Sequence, residues 1–192
     1  MSQTSACGLP RVKTTLRFGK VGLGERLVGG ATETASFIVQ ELSKHYNLAF
    51  RDRSATPQFI IEVIVFYMHL VDRMAFGHFD KVKRETFGDR FIVAVVKEIL
   101  RGLSKDLSAD EFGKALRDTY NRRQIQYARY KVLIPKKDEP LKDTLYWEFS
   151  KILFGFFDST NPAILVFLNL MVADITTVML NDTLKIEEVL LS

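Results

Sequence analysis

Four ionisable residues, Glu62, His69, Asp72 and Arg73, lie inside one apolar run, IIEVIVFYMHLVDRMAFGHF at 60–79. A histidine with a carboxylate three residues on is an acid/base pair in outline, since the carboxylate can orient the ring. Histidine and carboxylates projecting inward are also the ligands of metal sites in helical bundles. On a helical wheel Phe66, His69, Arg73 and Phe76 fall within about 40° of Glu62. Asp72 lies about 60° from His69, within reach of its ring.

Spacing removes most of that chemistry. A di-iron centre needs two E-x-x-H elements on different helices, and the nearest string, ELSKH, has Glu41 four residues before His45. A three-histidine zinc site would need His45, His69 and His78 together. His78 falls nearly opposite His69 on the same helix. A mononuclear site of Glu62 or Asp72 with His69 and Asp174 has no support from spacing. Arg73, one turn from His69, repels both a metal cation and an imidazolium. The expectation is that Glu62, His69, Asp72 and Arg73 make structural polar contacts: Glu62, His69 and Arg73 mark the rim where their helix meets a neighbour, Asp72 with Arg73 points outward, and Glu148 and Asp174 are potential partners. The four remain the candidate ligand or partner site. No G-x-S-x-G, kinase set or H-E-x-x-H occurs, and neither a metal nor a cofactor is expected.

A second candidate is RDTYNRRQIQYARYKVLIPKK, 117–137, where basic residues alternate with tyrosines. That composition suggests RNA or another polyanion, with Arg122, Arg123, Arg129 and Lys131 as anion-binding candidates. Helical geometry weakens the reading. Phe112, Leu116, Tyr120, Tyr127 and Ile134 share one seam, so the tyrosines read as core-facing rings. Arg123 falls in the seam itself and the other cations scatter to both flanks. GLGERLVGG, 22–30, is glycine-rich but has neither the G-x-G-x-x-G nor the P-loop spacing; it reads as a connector.

These residues must be positioned by helices. The chain of 192 residues is 47% hydrophobic and 26% charged, a globular composition long enough to bury a core unaided. Cys7 is its one cysteine, which removes an intrachain disulfide framework and fits a reducing compartment. The net charge of +4 is too small to imply nucleic acid. Periodicity and caps place helices over 32–50 (Thr32 as cap), 57–79, about 89–102 (Asp89 as cap), 108–133 (the capping box Ser108–Glu111), 141–157 and 161–181 (Asn161 before Pro162). A short turn over DKVKRETFG precedes the third, and an amphipathic TLKIEEVLL closes the chain.

The fold expected is all-α, a single-domain antiparallel bundle of about six helices with a largely buried central helix at 161–181. That segment is about long enough to span a bilayer, but Asn169 and Asp174 interrupt it, and no transmembrane segment is expected. Residues 1–30 form a flexible, basic, glycine-containing arm, whose composition also resembles that of an organellar transit peptide; residues 31–192 form the bundle. The function expected is that of a soluble, cytoplasmic, non-enzymatic module that binds another protein or its own copy. Alternatives are a small-molecule or metal-binding bundle centred on His69, and RNA or polyanion binding through 117–137.

Overall fold

A computed structural model describes residues 22–52, 55–102, 109–132 and 142–185. The chain is all-helical there, with no β-strand among the described residues. Six α-helices follow in order: α1 (Leu23–Tyr46), α2 (Ala55–His78), α3 (Lys81–Gly102), α4 (Ala109–Tyr127), α5 (Leu145–Phe154) and α6 (Pro162–Val178). A π-helical turn, Met179–Leu184, continues α6. One isolated antiparallel bridge joins Phe50 to Phe157.

α1 begins at Leu23, nine residues before the expected cap at Thr32. Its buried face runs from Gly24 through Leu27, Ala31, Thr34 and Ile38 to Leu42, a helical period that starts inside the supposed connector. Gly24 has a packing role: a Cβ there would lie 2.9 Å from the Cβ and carbonyl carbon of Ala94 on α3. Residues 23–30 are therefore part of the packed helix, with Gly22 at its N-cap, and not of an arm. Residues 1–21, with Cys7, lie outside the described residues. Thr32 bonds back to the Val28 carbonyl at 2.8 Å, a habit of threonine within a helix. α1 ends at Asn47, in the left-handed conformation at φ 51°, where asparagine often stands in for glycine.

α3 is also longer than expected. Asp80 accepts from the Lys83 backbone N–H at 2.9 Å and caps the helix. The chain then continues through Gly88 and Asp89 without a break. Phe87, Phe91, Val95 and Ile99, at steps of four, form one apolar seam, and that seam begins before Asp89. The later starts fall close to expectation. Asn161 accepts from the Ala163 N–H at 3.0 Å ahead of Pro162. α5 is shorter than 141–157 and is capped by Thr144, which accepts from the Trp147 N–H at 3.3 Å. α4 begins directly after Ser108, but the capping box itself and the segment 133–141 lie outside the described residues, as does 186–192.

The central helix is α2, not 161–181. α2 touches α1, α3, α4 and α5, and the unbroken run Glu62–Val71 is buried. Phe66 stacks on Phe149 of α5 at 3.8 Å between centroids and meets Tyr127 of α4 edge-on at 5.8 Å. α6 packs on α5, α1 and the π-helical turn. Ile164, Leu168, Met171 and Val172 are buried on its inner face, while Val166, Leu170, Asp174 and Val178 are exposed. The expectation of all-round burial came from hydropathy alone, which does not report how many neighbours a helix has.

Candidate functional site

The line predicted along α2 exists, and most of it faces α4. Glu62 is 6% exposed. Its carboxylate accepts twice from Arg123, from Nε at 2.8 Å and Nη2 at 2.6 Å. Arg123 also donates to Gln126 Oε1 at 2.6 Å. Burial alone would lower the Arg123 pKa, but the hydrogen bonds and charge of Glu62 raise it above its ordinary value. Two planes in a fork-to-fork match thus replace water around a buried carboxylate.

Two turns on, His69 is buried and its Nδ1 hydrogen-bonds to Gln124 Oε1. With the amide oxygen as acceptor, Nδ1 carries the proton and Nε2 keeps its lone pair. Nε2 is buried without a partner, as is the hydroxyl of Tyr127, whose ring lies 5.1 Å from the imidazole. Burial lowers the His69 pKa, the Gln124 bond raises it, and Arg73 lowers it further; the net shift is downward. The imidazole is neutral at physiological pH.

Asp72 does not meet His69. It turns to α3 and accepts from Arg84 Nε at 2.9 Å and Nη2 at 2.6 Å. The Arg84 guanidinium also lies 4.9 Å from the centre of the Phe76 ring. Arg73 reaches past the end of α4 and donates to the carbonyls of Tyr130, at 2.8 Å, and Lys131, at 3.0 Å. It is an anchor within the fold and not an outward-pointing charge.

The four residues therefore reach separate partners and do not converge on one point. The acid/base pair drawn from Asp72 and His69 is absent from the geometry. The expected partners were also wrong: Glu148 pairs with Lys151 at 2.9 Å, and Asp174 is exposed. Arg84 and Gln124 were not foreseen, whereas the position of Arg123 on the apolar seam of α4 did signal its role. Tyr120 is pushed up to about 12 by burial and the Asp72 carboxylate, and Tyr127 is raised by burial and then by Glu62. Both are neutral phenols at physiological pH. Among the described residues no three His, Cys, Asp or Glu side chains stand close enough to hold a metal ion.

The basic candidates also sort differently from expectation. Arg123 belongs to the buried pair. Lys114, Arg117, Arg122, Arg129 and Lys131 are exposed and occupy the side of α4, and of the turn after it, that faces away from the core. The wheel placed them on both flanks of the apolar seam, and both flanks lie on the solvent side of α4. A separate groove of about 580 Å³ lies between the start of α1 and α3, with Leu23, Gly24, Val82, Phe87, Phe91 and Ala94 in its lining.

Among the described residues the chain is all-helical, and Glu62, His69, Asp72 and Arg73 each tie α2 to a neighbouring element. Comparison with protein families, curated proteins and solved structures finds no match to this chain.

Proposed function

We propose that the protein is a non-enzymatic helical module that binds another protein through the outer face of α6. One observation carries this reading. The most apolar helix presents Val166, Leu170 and Val178 to solvent, 39%, 53% and 42% exposed. An 18-residue window within Pro162–Asp182 has a mean hydropathy of 2.1, and the segment is long and apolar enough to cross a membrane. The inner face is engaged by α1 and α5, so the exposed stripe suits a partner helix laid in an i, i+4 register better than a lipid interior all round.

Asp174 lies on the same stripe, and α6 contains no lysine or arginine. Two copies paired through this face would set the carboxylate against apolar side chains with no cation opposite. A different protein, with apolar side chains at helical spacing and a basic residue facing Asp174, fits better. The single cysteine supports a reducing, cytoplasmic setting. The six helices are read here as an antiparallel bundle in one domain. That arrangement is supported by Thr34 on α1 meeting Tyr67 of α2, and by Asp72 on α2 meeting Arg84 of α3 across a short link.

The test is a photo-cross-linking residue at position 166, in the full chain expressed in its host. A discrete adduct with another protein is expected, lost in the variant Leu170→Glu at unchanged melting temperature. An adduct with a second copy would assign self-association instead. No adduct, or one that Leu170→Glu leaves intact, would overturn the proposal.

A further inference from the structure

Among the residues whose side chains are described, the outer surface of α4 and the turn after it carries five exposed cations, Lys114, Arg117, Arg122, Arg129 and Lys131, against one acid, Asp118. None of the five forms an ion pair among the described residues. From Lys114 to Arg129 the stripe is about 22 Å long at ~1.5 Å per residue. Its far end is fixed in place. Arg73 holds the Tyr130 and Lys131 carbonyls, and the Leu145 N–H donates to the Val132 carbonyl at 2.9 Å. Arg129 and Lys131 therefore project from a backbone tied to α2 and α5.

Two features select the partner. Two of the three tyrosines of this segment are withdrawn, and the third is half-buried: Tyr127 is fully buried, Tyr120 packs against the core, and Tyr130 lies partly against it. A single-stranded nucleic acid needs exposed rings on which bases stack, and the surface does not offer these two. In their place two aliphatic side chains stand among the cations, Ile125 at 68% and Val132 at 47% exposure. Against a phosphate backbone such groups gain nothing. At a lipid interface, guanidinium and ammonium groups meet headgroup phosphates while aliphatic side chains enter the layer beneath.

We propose that the outer face of α4 docks the protein on an anionic membrane surface, with Arg117, Arg122, Arg129 and Lys131 on the headgroups and Ile125 and Val132 dipping between them. This surface is distinct from the α6 face and does not depend on it.

The full chain is sedimented with phosphatidylcholine vesicles, with and without phosphatidylserine. Binding is expected only with phosphatidylserine and should weaken steeply with added salt. Each cation removed should weaken it about five-fold, so the double reversal Arg122→Glu/Arg129→Glu should weaken it more than 100-fold. Lys97→Glu, an exposed reversal on α3, should do little. Ile125→Ser should weaken vesicle binding at constant charge, an effect that generic attraction to polyanions would not show. Should the reversals disturb folding, Arg122→Gln/Arg129→Gln gives the same test with a smaller loss. Equal binding to pure phosphatidylcholine, no binding to phosphatidylserine vesicles, or equal damage from Lys97→Glu would each overturn the proposal. Tighter binding to duplex RNA, with Ile125→Ser silent, would assign the face to nucleic acid.

Discussion

α2 and α6 are both long apolar helices, and they use that character in opposite ways. α2 carries Glu62 and His69 within its run and hides both, because four helices surround it. α6 has one charged residue and leaves Val166, Leu170 and Asp174 outside. The difference teaches that burial is assigned by neighbours. A helix with partners on all sides can take in a carboxylate if a guanidinium arrives from across the seam. A helix with partners on one side must expose its other face, however apolar.

The sharpest way to break the contrast is to remove one partner from the α2 seam. Arg123→Leu should cost about 3–5 kcal/mol in urea denaturation, because it strands the Glu62 carboxylate. The double variant Glu62→Leu/Arg123→Leu should recover most of that loss, since no charge is then left buried. A single variant as stable as wild type would mean that water reaches Glu62. Next in size is Arg73→Gln. Two hydrogen bonds from a charged donor to the Tyr130 and Lys131 carbonyls are lost, so about 1.5–3 kcal/mol is expected by the same measurement.

A smaller effect should appear only in acid. The folded chain resists protonating His69, while the unfolded chain titrates it near ~6.5. Stability should therefore fall as pH drops through that region, until the lowered folded pKa is reached. His69→Gln keeps a polar group beside Gln124 and should fold, with a flatter profile below pH ~6.5. Identical slopes in the two proteins would remove His69 from the buried seam. The smallest effects belong to α6: Leu170→Glu and Asp174→Leu, both on exposed positions, should each move stability by no more than about 0.5 kcal/mol. A large loss would show that this face is covered.

Helix content was legible because period and caps are local: Asn161–Pro162 reads correctly from a few residues. The α2 line was legible for the same reason, as Glu62, His69 and Arg73 share a face at any tertiary arrangement. Their partners were not. That Glu62 meets Arg123 and Asp72 meets Arg84 depends on which helices are adjacent, and the periodic pattern is silent on adjacency. The glycines of α1 misled because Gly24 permits two readings, a chain that bends or a helix that approaches closely; only Ala94 on the other side decides. Arg123 was separable from the other cations by its place on the apolar seam, whereas which flank of α4 faces solvent depends on the neighbouring helices.

The grip of Arg73 has a consequence for proteolysis. The Lys131 carbonyl that it holds belongs to the peptide bond that a trypsin-like enzyme would cut. Such an enzyme must draw that same oxygen into its own oxyanion hole. Here the oxygen is already bound, and the next one along accepts from the Leu145 N–H. An exposed lysine thus sits beside a bond that resists cleavage until α2 releases the end of α4. The rate of cutting after Lys131 would then time the opening of the helix seam, not the motion of a surface loop.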